Sequence, residues 1–182
     1  MTACTIRPYR ADDAPRLFEA ARESIAEVFQ WLAWCHPRYS LEEAAAWVSA
    51  CDEKARQGLE YNFAIVDAQG RFLGGCGINQ INPLHRFANL GYWVRSSETG
   101  RGVAVEAARQ AARFAMLNTD LVRLEILCPV GNERSRRVAE KAGAVREGIL
   151  ADRLMVHGRA RDAILHSIVR SRWAEPDGKT YA

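Results

Sequence analysis

The sequence has no apolar run close to the roughly 18 residues that a membrane-spanning helix needs. Its first residues, Met-Thr-Ala-Cys, do not begin a secretory signal peptide. We therefore expect a cytoplasmic protein without a membrane partner.

The cysteines show neither a CxxC pair nor the Cys/His spacing of a metal site. There are five of them, an odd number, and they lie far apart in the sequence. This arrangement predicts reduced thiols in the protein core and no bound metal.

Charge and composition exclude further classes of protein. The net charge of +3 is too small to indicate a nucleic-acid partner. A chain with 48% hydrophobic and 26% charged residues is typical of a soluble globular protein. Because no repeat or linker divides it, we predict one domain at residues 1–173, followed by a frayed tail at residues 174–182.

A short glycine turn is the strongest local signal. It follows a strand-like run at residues 90–94 and precedes an alanine-rich helix. Gly100 and Gly102 allow φ values that other residues resist and let the backbone approach a ligand. The first amides of the helix lack intrahelical partners and, with the helix dipole, favour a phosphate or pyrophosphate. The predicted anion site comprises Thr99, Gly100, Arg101, Gly102, Val103, Ala104 and Val105.

Two phosphate-binding motifs do not fit this turn. A P-loop requires Lys followed by Ser or Thr after its last glycine, where this chain has Val103 and Ala104. The dinucleotide fingerprint requires a third glycine where Val105 stands. Its acidic residue would be Asp120, which precedes a predicted strand instead of ending one.

Residues 99–104 instead resemble the acetyl-coenzyme A signature of the GNAT superfamily of N-acetyltransferases. Gly102 and Ala104 match its two small positions, whereas Thr99 departs from the usual Gln or Arg. A second block agrees: a strand at residues 123–128, the helix start Asn132-Glu133-Arg134-Ser135 and the helix end Glu140-Lys141-Ala142-Gly143. The resemblance covers about residues 5–169 and is closest to the branch that acetylates the N-termini of ribosomal proteins.

This resemblance implies an α/β fold with a mixed, mostly antiparallel sheet of six to seven strands flanked by helices. It also implies acetyl-coenzyme A (acetyl-CoA) as co-substrate, held by the turn with Asn132, Ser135 and Arg137. Arg134, Arg137 and Lys141 fall at i, i+3 and i+7 on one helix face. The 3′-phosphate of the coenzyme is their natural partner, and a solvated face is the alternative. Because relatives are often dimers, a homodimer is a further expectation.

Catalytic roles follow from the chemistry of acyl transfer within this family. A backbone amide of the strand before the turn would stabilise the developing oxyanion, which indicates Val94 or its neighbour. Glu125 is the preferred base, and the alternative is a strand-face glutamate paired with an arginine. Weaker candidates are Glu60 and Glu98. Ala139 stands where many relatives carry a tyrosine acid, so Ser135 is the predicted proton donor to the leaving sulfur.

The acceptor contacts are predicted to include Trp31, Trp34 and Tyr92. The tryptophans precede the Ser40 helix cap, where this branch places acceptor-binding residues, and core packing is the alternative. An α-amine with a pKa of about 7.7–8.0 is roughly one-tenth neutral at pH 7, whereas a lysine is neutral in about one molecule in 2,500. A protein N-terminus is therefore the predicted acceptor. The alternatives are a small amine, such as an antibiotic, an aminoacyl conjugate or a polyamine, and a non-catalytic acetyl-CoA-binding module.

Apolar periodicity and caps predict the order of the elements. A first strand is followed by a helix capped by Asp12 or Asp13, and by a second helical region that carries Ile25, Val28 and Trp31. The further predictions are helices at about residues 41–57, 104–117 and 132–142, and strands at 61–66, 72–81, 88–94, 123–128, 145–149 and 162–169.

Overall fold

Seven strands form one mixed sheet in the computed structural model, which describes residues 3–173. The strands are β1 (Cys4–Pro8), β2 (Tyr61–Asp67), β3 (Phe72–Asn82), β4 (Phe87–Val94), β5 (Arg123–Pro129), β6 (Val145–Val156) and β7 (Arg159–Val169). Their order across the sheet is β1-β2-β3-β4-β5-β7-β6, and only β4 and β5 run parallel. The predicted α/β fold with a mostly antiparallel sheet is confirmed.

Four helices cover the two faces of the sheet. They are α1 (Ala14–Val28), α2 (Leu41–Arg56), α3 (Val103–Asn118) and α4 (Glu133–Lys141). The alanine face of α3 packs with Ile78, Leu90 and Leu124 on one face of the sheet, and Ala139 of α4 joins this cluster. On the opposite face, α1 and α2 pack over Phe72 and Ala64. Small alanines let α3 approach the sheet closely, which places its first turn beside the end of β4.

The structure corrects the prediction of a second helical region before residue 31. Ile25 and Val28 belong to α1, whose buried positions continue without a break from Leu17 to Val28. Residues 29–39 then form turns. Asp13 stands before α1, but its carboxylate accepts hydrogen bonds from Arg7 and from the Arg10 amide instead of capping the helix. The predicted tail at residues 174–182 lies outside the described residues.

The last two strands are longer than predicted. They form a hairpin that continues through Leu154 and Met155 to a turn at His157 and Gly158. The sequence between residues 150 and 161 alternates irregularly because a bulge shifts the register between Leu150 and Leu154. This hairpin reaches the end of α1 and so helps to enclose the space beside β5.

The parallel pair separates soon after it forms. β4 and β5 are paired only from Phe87 to Asn89 and from Arg123 to Glu125. On its other edge, β4 stays paired with β3 as far as Val94, and the Arg95 amide donates to Leu73 O at 2.9 Å. Antiparallel ladders alternate in the direction of their amides. The Tyr92 and Val94 amides therefore point away from β3, into the gap that β5 leaves.

A buried arginine holds the segment between β4 and the glycine turn. The side chain of Arg95 is 8% exposed and forms ion pairs with Glu19 and Glu23 of α1. Glu23 also accepts a hydrogen bond from the Ser97 amide at 2.8 Å. The hydrogen bond from Arg95 is the main cause that lowers the pKa of Glu23 from 4.5 to about 2.

We predict that Glu23→Gln lowers the free energy of unfolding by about 1–2 kcal/mol at pH 7, since a charged hydrogen-bond partner of Arg95 is lost. The folded-state pKa of Glu23 is depressed, so its contribution is present above pH 4.5 and declines as the pH falls toward 2. Urea unfolding at pH 7 and at pH 3.5 measures this, and the difference between variant and wild type narrows at the lower pH. Glu19→Gln is the matched control: its side chain is 71% exposed, so it changes stability by less than about 1 kcal/mol. Equal effects of the two variants would contradict the prediction.

Candidate active site

A cleft of about 1980 Å³ opens where β4 and β5 separate. One part of its lining lies on the sheet face that carries α3 and α4, and contains the glycine turn and the start of α4. The other part lies on the face that carries α1 and α2, and contains the aromatic segment before α2. We call these parts the α3/α4 side and the α1/α2 side.

The glycine turn on the α3/α4 side exposes backbone amides to the cleft. Gly100 and Gly102 have φ values of +78° and +85°, in the left-handed region that glycine adopts without strain. Gly102 is the N-cap of α3, and the following residues Val103, Ala104 and Val105 line the cleft. Their amides include the helix-start donors that have no intrahelical partner. This geometry fits a phosphate or pyrophosphate group.

The side chains of the turn are held in place by local contacts. Thr99 Oγ1 donates to Ser96 O at 2.9 Å, which closes the turn. Glu98 is 4% exposed and accepts hydrogen bonds from Arg71 at 2.5 Å and from Arg101 at 3.2 Å. The Glu98 carboxylate is thereby neutralised by two cations, so it does not oppose an anion bound at the turn.

Helix α4 presents three cations that have no carboxylate partner among the described residues: Arg134, Arg137 and Lys141. All three line the cleft. Arg136, on the same helix, pairs with Glu133 at 2.8 Å and with Glu140 at 2.6 Å. The helix begins at Asn132, whose Oδ1 accepts the Ser135 amide at 3.0 Å. The cleft-facing cations are therefore free to bind an anion.

Ser135 and Tyr92 meet at the centre of the α3/α4 side. Tyr92 Oη donates to Ser135 O at 2.9 Å and lies 3.3 Å from Ser135 Oγ. Ser135 Oγ donates to Cys128 Sγ at 3.3 Å. Burial raises the pKa of the Tyr92 hydroxyl, which therefore stays protonated. Two hydroxyls that can donate a proton stand together at this point.

Tyr92, predicted as an acceptor contact, lines the cleft on its α3/α4 side. Successive side chains of a strand point to opposite faces. Trp93 packs with the cluster of α1 and α2, whereas Tyr92 packs with the cluster of α3. Tyr92 thus lies on the same side as Ser135, and the tryptophan after it faces the other side.

Glu125 is not brought together with the other predicted catalytic residues. It lies where the β4–β5 pairing ends, opposite Asn89, but it is absent from the lining of the cleft. Its Oε1 accepts a hydrogen bond from Arg123 Nε at 2.8 Å, and Arg123 also binds Glu147. The structure therefore favours the strand-face alternative over the role of base. The weaker candidates Glu60 and Glu98 do line the cleft.

Trp31 and Trp34 both line the cleft on its α1/α2 side. Trp34 packs edge-on against Trp93, with ring centroids 5.2 Å apart. The Trp31 ring extends over the loop before α4, where its tip lies 3.9 Å from the position of a Cβ on Gly131. The residues between α1 and α2 therefore form a wall that reaches from β4 to the α4 loop.

The tip of the β6–β7 hairpin joins this wall. His157 Nε2 lies 2.7 Å from Phe29 O, and the two rings are in contact with centroids 4.3 Å apart. Leu154, Met155 and Val156 of the hairpin also line the cleft. The α1/α2 side is consequently enclosed by aromatic and apolar groups around a floor formed by the sheet.

That floor carries polar residues that sequence reasoning did not single out. Asn62, Asn79 and Asn89 line the cleft on the α1/α2 side, together with Gly77 and Gly91. An amide or a glycine at alternate positions within the apolar stretches of β2, β3 and β4 was the available signal. Reading it requires the register between strands, which the sequence alone does not supply.

The described residues contain no group of three or more His, Cys, Asp and Glu side chains that could hold a metal ion. The five cysteines, all within residues 3–173, are free and buried, as predicted. Among the helices of this part of the chain, none has the length and hydropathy to cross a membrane.

A family model described as "Acetyltransferase (GNAT) domain" matches residues 4–145. The chain belongs to the GNAT acetyltransferase family. It is an N-acetyltransferase that uses acetyl-CoA as its acyl donor. The turn geometry, the helix-start amides and the three unpaired cations of α4 fit this co-substrate, whose pyrophosphate and 3′-phosphate are anionic.

Individual relatives support the resemblance to the ribosomal-protein branch. YdaF of Bacillus subtilis, provisionally named a ribosomal N-acetyltransferase, is 27% identical over 169 residues, which cover 93% of this chain and 92% of that protein. The structure of RimJ of Mycobacterium smegmatis in complex with CoA-disulfide is 27% identical, with a TM-score of 0.85 over 94% of this chain and 84% of that one. A spermidine N(1)-acetyltransferase of Vibrio cholerae is 25% identical over 114 residues, 63% of this chain and 66% of that protein.

We predict that Arg137→Ala weakens the binding of coenzyme A by roughly 5-fold, because a charge-assisted contact to the 3′-phosphate is lost. The affinity for dephospho-coenzyme A, which lacks that phosphate, stays within about 2-fold of wild type. Isothermal titration calorimetry with both ligands measures the difference.

Arg136→Ala is the matched control for this prediction, since Arg136 lies on the same helix but is already bound to Glu133 and Glu140. It should leave both affinities within about 2-fold. An equal loss of affinity for the two ligands in Arg137→Ala would show that this arginine does not bind the 3′-phosphate.

Proposed function

We propose that this enzyme transfers the acetyl group of acetyl-CoA to the N-terminal α-amine of a protein. The observation that carries the proposal is the state of the carboxylates in the cleft. Each one already has a partner: Glu27 with Ser96, Glu43 with His36 and Ser40, Glu60 with Lys54, Glu98 with Arg71, and Glu133 with Arg136. A site without a free strong base favours an amine that is already partly neutral at pH 7.

The relatives agree with this choice of acceptor. The name of YdaF refers to ribosomal N-acetylation. An α-amine, with a pKa about 2.5 units below that of lysine, loses its proton to solvent or to a weakly basic partner at little cost. A lysine acceptor would need a base to take its proton, and each carboxylate in the described lining of the cleft already has a partner.

Six groups of this chain have roles in the transfer. The glycine turn, Asn132 and Arg137 hold the coenzyme, which supplies an acetyl thioester when bound. The Val94 amide, which points into the gap beside β4, donates a hydrogen bond to the carbonyl oxygen as negative charge develops there. The neutral amine nitrogen forms the new bond to carbon, and the carbon–sulfur bond breaks. The nitrogen then releases a proton to solvent, which balances the proton that reaches the sulfur. Ser135 Oγ, supported by Tyr92 Oη at 3.3 Å, donates a proton toward the leaving sulfur.

A polyamine acceptor is the second candidate. It is supported by the similarity to a spermidine N(1)-acetyltransferase over 63% of this chain. The α1/α2 side also contains three carboxylates, Glu27, Glu43 and Glu60. Hydrogen bonds or ion pairs already engage all three carboxylates. Their electrostatic attraction for a polycation is therefore weaker than that of three free carboxylates.

The test is a comparison of acceptors with the purified protein and acetyl-CoA. We expect peptides with a free N-terminal Ser or Ala to be acetylated with a kcat/KM at least 10-fold above that for spermidine, and mass spectrometry should place the acetyl group on the α-amine. Nα-blocked peptides that carry a lysine are the control and should not react. Faster turnover of spermidine would support the second candidate instead. Coenzyme binding without turnover on any amine would identify a non-catalytic module.

We further predict that Ser135→Ala lowers kcat by roughly 10- to 100-fold without abolishing it, because a thiol with a pKa near 8.5 leaves tolerably without a proton donor. Stopped assays with the best peptide measure kcat, and titration of acetyl-CoA shows whether binding is unchanged. Cys128→Ala removes the sulfur that Ser135 contacts at 3.3 Å and should reduce kcat less. An unchanged kcat in Ser135→Ala would remove this residue from the proton transfer.

A further inference from the structure

The sheet floor on the α1/α2 side has a strip without bulky side chains. Asn62, Gly77 and Gly91 lie side by side on three neighbouring strands, in register with one another. One step further along the strands, Asn79 of β3 faces Asn89 of β4. All five residues line the cleft, and α1 and α2 cover only the adjacent part of the sheet around Trp93 and Ala64. We call these five residues the amide strip.

Gly77 allows the side chain of Asn62 to lie flat across β3. A Cβ at position 77 would stand 2.3 Å from Asn62 Oδ1, far inside contact distance. Asn62 Nδ2 donates to Glu60 Oε2 at 3.0 Å, and within residues 3–173 no hydrogen bond to Asn62 Oδ1 is found. An oriented acceptor atom is therefore left facing the cleft.

The strip leads directly to the gap between β4 and β5. Asn89 is the last residue of β4 that pairs with β5, and Gly91 follows two positions later on the same face. Strands in a sheet lie about 4.8 Å apart. Because Asn62 lies across β3, its amide is about one strand spacing from Gly91. A group placed over Gly91 would thus contact Asn62 and stand beside the gap between β4 and β5.

The chemistry of the strip fits a peptide better than a polycation. Two carboxylates neighbour it, Glu60 and Glu125, and each binds a cation, Lys54 Nζ at 3.1 Å and Arg123 Nε at 2.8 Å, so the surroundings are close to neutral. Asn89 Nδ2 donates to Asn79 Oδ1 at 2.9 Å, which leaves one amide oxygen and one amide nitrogen of this pair to face the cleft. Such a donor and acceptor match the carbonyl and N–H of a peptide bond.

We propose that the amide strip binds the first residue of an acceptor polypeptide, with Asn62 Oδ1 accepting a hydrogen bond from the α-amine and the Asn79–Asn89 pair binding the first peptide bond. The glycines at positions 77 and 91 let the acceptor backbone approach the sheet. This inference rests on the proposed function and assigns the part of the cleft that distinguishes a peptide from other amines. Asn62 is a positioning residue for the amine, because it orients the nitrogen toward the gap.

Two variants test the strip by independent routes. Asn62→Ala deletes the hydrogen-bond acceptor, whereas Gly77→Ala displaces Asn62 sterically and keeps its chemistry. Both should raise KM for a peptide with a free N-terminal Ser by roughly 10-fold, the range expected for one or two lost hydrogen bonds. The dissociation constant for acetyl-CoA should stay within about 2-fold. Gly148→Ala is the matched control, since a Cβ there has no neighbour within 4 Å, and it should leave KM unchanged.

The outcomes separate this inference from the proposed function. If wild type acetylates the peptide and both variants, folded by thermal melting, keep its KM, the strip does not bind the acceptor, although the proposed function stands. If Asn89→Ala, which removes a contact assigned to the first peptide bond, impairs spermidine and peptide equally, the assignment to a peptide is wrong. If wild type acetylates no peptide, the proposed function fails and the inference with it. A raised peptide KM in both Asn62→Ala and Gly77→Ala, with unchanged acetyl-CoA affinity, supports the proposal.

Discussion

The site depends on hydrogen bonds that two neighbouring strands do not make. β4 and β5 share a ladder over only three residue pairs, after which the strands diverge and the facing amides of β4 lack a strand partner. Burying unpaired backbone amides is costly, so such a gap persists only where water or a ligand satisfies them. An extended co-substrate with amide groups can satisfy them, and in the proposed mechanism the thioester then lies beside Val94. The rest of the structure keeps the gap open and places possible ligand contacts on both sides of the cleft.

Buried contacts on both sides of β4 maintain this separation. Arg95 anchors the chain just after the strand to α1 through Glu19 and Glu23, and the alanine face of α3 packs against the sheet immediately beyond the glycine turn. Consequently the turn is fixed at both of its ends by elements that lie on opposite faces of the sheet. Positive φ values at Gly100 and Gly102 make the reversal between these anchors without strain.

Sequence patterns predicted those parts of the site that lie within one continuous segment of the chain. The glycine turn, the Asn132 cap and the spacing of Arg134, Arg137 and Lys141 each lie within a few residues, so the sequence contains their geometry. Contacts between strands are different. Whether Glu125 faces a cleft or an arginine depends on Arg123 and Glu147, and the latter is 22 positions away in sequence on another strand. The meeting of Tyr92 with Ser135, and of Asn62 with Gly77, likewise depends on register and helix placement. The continuous α1 also differs from the prediction of two helical regions. The aromatic residues after Val28 continue the apolar pattern of α1, but the chain forms turns there instead of a helix.

The distribution of charge along the cleft separates the places of the two substrates. Unpaired cations occur on the α3/α4 side, where α4 contributes Arg134, Arg137 and Lys141, whereas Lys54 on the α1/α2 side is already bound to Glu60. An anionic coenzyme is therefore attracted to the α3/α4 side, and screening at physiological salt confines that attraction to about 8 Å. The α1/α2 side presents amides and aromatic rings, which suit the neutral or singly charged polar chain that we propose as acceptor. Because the strands open on both faces at the same residues of β4, donor and acceptor approach the Val94 amide from different directions. Direct transfer in a ternary complex requires this arrangement, and no covalent intermediate on the buried cysteines is needed.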